Sequence, residues 1–187
     1  QPNCFKLSNG TVEAIVSTNI GPRVLRYAFR GGDNVFAEVP QLVTKTQLGD
    51  WKPWGGHRLW AAPELMPGSY APDNDPIQFQ EEGDNSIELR QPVDKAGIEK
   101  MMRVQLANGG TRVGVLHRIT NRNSWPTRVA PWASTIMRGG GMTVLPQEQF
   151  RSHDQCLSAA RAIVVWYFTS LADPRWRIGN RYICLST

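Results

Sequence analysis

The stretch TVEAIVST at residues 11–18, followed by RVLRYAF at 23–29, decides the class of the fold. Both runs are rich in β-branched and aromatic residues. Turn chemistry brackets them at Asn9-Gly10, Gly21-Pro22 and Gly31-Gly32-Asp33. An Asn-Gly step beside such runs favours a hairpin, because both residues tolerate positive φ. The same period of two recurs further along. Between 111 and 120, Val113, Val115, His117 and Ile119 alternate with Arg112, Gly114, Leu116 and Arg118, the pattern of a half-buried antiparallel strand. Further strands are predicted at 34–39, 77–82, 86–91, 98–106, 126–137, 142–145, 162–169 and 181–185. Only 154–162 has the character of a helical turn or two. Many short strands without intervening helices predict an all-β fold, an antiparallel β-sandwich.

Composition fits that class. The chain has 187 residues, 41% hydrophobic and 20% charged, which suits a packed core in one domain. No apolar run approaches the roughly 18 residues needed to span a bilayer, and the N-terminus lacks a basic-then-apolar signal pattern. A soluble protein with no membrane partner is expected. The net charge of +5 hides an asymmetry, since residues 1–99 carry 9 Lys/Arg and 13 Asp/Glu, and residues 100–187 carry 12 and 3. A basic half can signal a polyanion partner or can simply pair with the acidic half of the same fold. These arginines are spread along predicted strands with no nucleic-acid-binding motif, so a nucleic-acid partner is not expected. Cys4, Cys156 and Cys184 allow at most one internal disulfide and form no zinc framework. His57, His117 and His153 lie far apart in sequence, so neither a metal site nor a cofactor is expected.

The segment 49–76 breaks the strand rhythm. It is rich in Pro and Gly, holds three of the seven Trp, and reads as a long irregular loop of the kind that often carries function. Trp51, Trp54 and Trp60 surround Gly55-Gly56-His57-Arg58, with Glu64 and Tyr70 following. Flat Trp faces suit the C–H faces of sugar rings, while His, Arg and Glu can hydrogen-bond hydroxyls. His57 and Glu64 are also types that exchange protons when burial tunes them. The competing reading is that the tryptophans pin a loop to the sheet and Arg58 pairs with Glu64. His117 reads either as a satisfied core histidine or as a residue facing a cleft. Asp73-Asn74-Asp75 offers hard oxygen ligands, but without calcium-loop spacing and between Pro72 and Pro76 it reads better as a turn.

Several motifs in order resemble a known family. They are Leu7-Ser8-Asn9-Gly10-Thr11-Val12-Glu13, Asn19-Ile20-Gly21-Pro22-Arg23-Val24, Trp54-Gly55-Gly56-His57-Arg58-Leu59-Trp60 and Ala62-Pro63-Glu64. They continue with Pro72-Asp73-Asn74-Asp75-Pro76, Thr120-Asn121-Arg122, Ala130-Pro131-Trp132-Ala133 and Asp173-Pro174-Arg175-Trp176. This order is similar to a bacterial branch of the galactose-mutarotase-like (aldose 1-epimerase-like) superfamily. The resemblance implies a β-supersandwich whose curved sheets form a carbohydrate-binding cleft. In mutarotases a carboxylate base and a histidine acid act on either side of the anomeric centre. Here Trp132 stands where those enzymes present an Asn-His-Ser-Tyr-like segment, and the late-strand glutamate base is expected beyond residue 187.

The expectation is therefore a single domain over 1–187, incomplete at its C-terminal end, that binds a sugar without epimerising it. His57, Glu64 and His117 are the catalytic candidates if it is an enzyme, and Trp54, His57, Arg58, Trp60 and Trp132 are the carbohydrate-binding candidates. The alternative is a structural module that self-associates. An incomplete supersandwich exposes sheet edges and apolar surface, so a homodimer is expected in either case.

Overall fold

The computed structural model describes residues 3–159 and 163–187. Its strands are β1 (Cys4–Ser8), β2 (Val12–Ser17), β3 (Arg23–Phe29), β4 (Glu38–Val39), β5 (Thr44–Thr46), β6 (Gly49–Trp51), β7 (Trp54–Ala62), β8 (Gln78–Glu81), β9 (Ser86–Arg90) and β10 (Ile98–Leu106). They continue with β11 (Val113–Asn121), β12 (Ala130–Ile136), β13 (Met142–Pro146), β14 (Trp176–Ile178) and β15 (Tyr182–Ser186). One 3-10 turn, Gly68–Tyr70, interrupts them, and the described residues contain no α-helix. The fold is all-β and every pairing is antiparallel.

The chain divides into two compact units, residues 1–138 and 139–187, where a single unit is the expectation from sequence. In the first unit, one sheet runs β1-β2-β3-β7-β12, with β4 also pairing on β7, and the second runs β11-β10-β9-β8. Leu7, Val12, Ala14, Val16, Val24 and Leu59 from the first sheet share a core with Ile87, Leu89, Met102, Val104 and Leu106 from the second. Alternation produces this layer: on β2 Val12, Ala14 and Val16 turn inward, while Glu13 pairs with Lys6 and Arg26 on the far side. The β1–β2 hairpin closes on Asn9-Gly10, where Asn9 Oδ1 accepts from the amides of Thr11 and Val12 and Gly10 has φ 86°. The second unit is a three-stranded sheet in the order β13-β15-β14.

Several expectations need correction. The segment 49–76 is not one loop, since β6 and the nine-residue β7 lie inside it. Gly55 and Gly56 are close-approach glycines: a Cβ on either would sit 2.1 Å from the carbonyl of Ala37 or Val24. Within 34–39 only Glu38–Val39 forms a strand, because the Asn34 side chain accepts from the amides of Tyr27 and Phe36 and gives the backbone other partners. The strand expected at 162–169 is absent among residues 163–169, where no neighbouring strand supplies a ladder. Residues 160–162, where that strand and the helical turn at 154–162 were expected to meet, lie outside the described residues.

The charge asymmetry of the sequence has a structural counterpart. Acidic groups of the first half pair with basic groups of the second in Asp94–Lys100, Glu82–Arg103, Glu88–Arg103, Glu99–Arg122 and Asp33–Arg138. No disulfide joins Cys4, Cys156 and Cys184. Among the described residues no helix is long and apolar enough to cross a membrane.

Candidate functional site

Strand β7 carries most of the candidate residues, and its alternation sends them to two different faces. His57 and Leu59 turn toward the second sheet, Leu59 into the shared core and His57 against His117. Arg58 and Trp60 turn the other way. Strand β12 repeats the division, because Thr135 lies opposite His57 whereas Ser134 and Trp132 lie opposite Arg58 and Trp60.

On the outer face, Trp60 stacks on Trp132 with centroids 4.7 Å apart and planes 12° apart, and on Trp51 at 5.4 Å and 22°. Tyr70 meets both Trp51 and Trp60 edge-on. Trp60 is thus the middle ring of a stack, and its two faces are occupied by neighbours. Its indole N–H donates to the carbonyl of Ser69, and the Tyr70 hydroxyl donates to the Glu64 carboxylate. Burial, followed by the hydrogen bond to Glu64, pushes Tyr70 up to about 12, so it remains a neutral donor. Trp132, half-buried, is the open end of the stack.

Beneath the stack lies a buried ionic cluster. Arg23 on β3 sits opposite Arg58 on β7, and both reach Asp73, at 2.5 and 3.3 Å. Arg23 also donates to the Pro53 carbonyl. The Arg58 guanidinium lies 5.0 Å from the Trp51 ring centroid and 5.5 Å from that of Trp60. Its Nε and Nη1 have no hydrogen-bond acceptor, so the electron-rich ring faces are what they meet. Burial alone raises the Asp73 pKa, but the charges of Arg23, Arg58 and Lys100 outweigh it and hold the carboxyl below its ordinary value. Burial draws Arg23 down to about 10, against the opposing pull of Asp73, so it remains a cation at neutral pH. Asp73 is therefore a structural anion with both oxygens committed to arginines. Its backbone also matters: Gly21 N–H donates to the Asp73 carbonyl, and a Cβ at Gly21 would meet Asp73 side-chain atoms at 2.8 Å.

On the inner face, His57 Nε2 lies 2.9 Å from His117 Nε2, and His57 Nδ1 lies 2.8 Å from Thr135 Oγ1. Two neutral tautomer arrangements satisfy this chain, differing in which ring supplies the shared Nε2 proton. Burial first, and then the neighbouring His117, push His57 down to about 4; burial also lowers His117. Both rings are neutral at neutral pH, so neither holds a proton ready to give to a sugar ring oxygen.

The remaining candidates stand elsewhere. Trp54 opens β7 at φ 59°, donates to Asn74 Oδ1, and has the Lys52 ammonium 5.0 Å from its ring centroid. Glu64 follows the end of β7. At about 3.3 Å per strand residue, His57 and Ala62 are already roughly 17 Å apart along the strand. The structure does not gather His57, His117 and Glu64 into one constellation. Trp51, Tyr70, Arg23 and Asp73 belong to the outer cluster, although none of the four is among the site candidates chosen from sequence, where Trp51 and Tyr70 stand in the aromatic segment and Asp73 in a turn. The aromatic enrichment of 51–70 is the signal that points toward Trp51 and Tyr70, whereas the pairing of Arg23 and Arg58 with Asp73 follows only from the fold. Thr135 carries no sequence signal, and only strand register reveals it. Among the described residues no group of three or more His, Cys, Asp or Glu side chains could hold a metal ion.

Comparison of the chain with protein-family models, curated proteins and solved structures yields no match.

Proposed function

We propose that the outer face of the first sheet binds carbohydrate through Trp132 and does not epimerise it. The observation that carries this reading is the three-ring stack Trp51–Trp60–Trp132, which ends in a half-buried indole. A rigid aromatic face held by a second ring suits the apolar face of a pyranose, because little side-chain freedom is lost on binding. Arg58 and Trp60 position the platform in this reading, and the Glu64–Tyr70 pair lies beside the stack. The resemblance to mutarotase-like proteins noted in the sequence points to the same ligand class. Binding without catalysis follows from the inward-facing, neutral His57–His117 pair and from the distance of Glu64 along β7.

A panel of monosaccharides and oligosaccharides tests the proposal through tryptophan fluorescence and thermal melting. At least one sugar should shift both signals, and polarimetry should show no acceleration of glucose or galactose anomer exchange. A flat response across the panel rejects binding, and accelerated exchange rejects the non-catalytic reading.

A second reading, self-association, has one observation in its favour. In the second unit Ile163, Val164, Val165, Trp166, Tyr167 and Phe168 are each at least half exposed. Such a run favours contact with another chain. Light scattering at micromolar concentration should then report a dimer, and a clean monomer would remove this reading.

A further inference from the structure

We propose that His57 and His117 form a two-imidazole binding site for a borderline first-row transition-metal cation of the Zn2+ class, coordinated through both Nε2 atoms. Sixty residues separate them in sequence, so no spacing motif announces the pair. The packing of β7 against β11 brings the two nitrogens to 2.9 Å. In a tetrahedral zinc site, with Zn–N near 2.05 Å, two ligand nitrogens stand about 3.3 Å apart. The ring centroids are 5.1 Å apart, so the two Nε2 atoms face each other nearly head-on. For both lone pairs to meet on one tetrahedral cation, the nitrogens must separate by about 0.4 Å and each half-buried ring must turn by about 35°.

Three further features fit a metal site. The first is a support for the ligand: with its proton on Nδ1, His57 donates to Thr135 Oγ1 and turns its Nε2 lone pair toward His117. The second is the donor set. Met102 lies directly across from His117 on β10, and among the described residues the two imidazoles are not joined by a third His, Cys, Asp or Glu in a metal-binding group. Neutral imidazole donors suit borderline cations and disfavour Ca2+ or Mg2+, which require oxygen ligands. The third is access, because Thr135, which bonds His57, is exposed to solvent. Proton balance is simple. The cation takes the place of the shared Nε2 proton, which moves to Nδ1 of His117, and both rings stay neutral.

The chain has three histidines, so 15N-histidine labelling resolves each ring. Titration with Zn2+ should shift the Nε2 resonances of His57 and His117 together at one equivalent and leave exposed His153 in place. His117→Phe, which keeps a packed ring, should abolish the His57 shift, while His153→Ala should leave the titration unchanged. Zn2+ that leaves His57 and His117 unmoved, or that still moves His57 in His117→Phe, overturns the site. Neither outcome bears on sugar binding, which involves the opposite face of the sheet.

Discussion

Trp60 and Trp132 stand directly opposite each other on β7 and β12, and their rings stack 4.7 Å apart at 12°. Their roles differ although their chemistry is the same. Trp60 has Trp51 on its other side and Arg58 nearby, whereas Trp132 ends the stack. Trp60→Ala should therefore cost about 3–5 kcal/mol in urea unfolding, as expected for loss of a packed indole. Trp132→Ala should cost less, losing an aromatic pair worth roughly 0.5–1.5 kcal/mol along with a half-buried area. Equal losses would mean that Trp132 is as structural as Trp60.

Asp73 neutralises two buried guanidiniums. Asp73→Asn removes the anion and leaves both cations, so a loss of about 3–5 kcal/mol is expected. The pH dependence has a definite sign. The folded carboxyl titrates below its unfolded value, so the native state binds fewer protons and the cluster's contribution is complete above the unfolded pKa of about 3.9. That contribution is lost as pH falls through the lowered folded value. Acid unfolding of the wild type should contain this step, and Asp73→Asn should lack it. The same acid sensitivity in both proteins would contradict the assignment.

Gly56 has φ 65°, and its absent Cβ would lie 2.1 Å from the Val24 carbonyl oxygen. Gly56→Ala should therefore lose about 1–2 kcal/mol for the left-handed backbone and a further 1–3 kcal/mol for the forced shift of β3. Denaturant melts would show this as a fall in midpoint. A neutral result would mean that β3 and β7 are less tightly apposed at this point than the structure has them.

Two of the strands show how local signals can suffice. RVLRYAF at 23–29 and Ile98–Leu106 form β3 and β10 at the residues expected. Apolar and aromatic composition between turns marks β3, where Arg23, Val24 and Leu25 are all buried. On β10, Ile98, Met102, Val104 and Leu106 alternate with Glu99, Arg103 and Gln105. Strand β7 was hidden for the opposite reason. Pro53, Gly55, Gly56 and Pro63 read as loop punctuation, yet the glycines are there because the Ala37 and Val24 carbonyls pass close to the strand. Residues 163–168 erred in the other direction: apolar and β-branched composition favours a strand only when a partner strand is present. The site divides in the same way. The aromatic enrichment of β6 and β7 was visible in the sequence. Which of its side chains share a face was not, because Gly55, Gly56 and the flanking prolines mask the period-two alternation of the nine-residue strand. With His57 and Trp60 assigned to opposite faces, the catalytic and binding candidates no longer form one site.

The central claim is that Trp132 is the contact platform for a carbohydrate. Its most direct test is a fluorescence titration of wild-type protein and Trp132→Ala with whichever panel sugar gives the largest response. Saturable binding by the wild type, with affinity reduced at least tenfold in a Trp132→Ala protein that still melts cooperatively, is the predicted result. Unchanged affinity in that variant, or no saturable response from the wild type to any sugar, would contradict it.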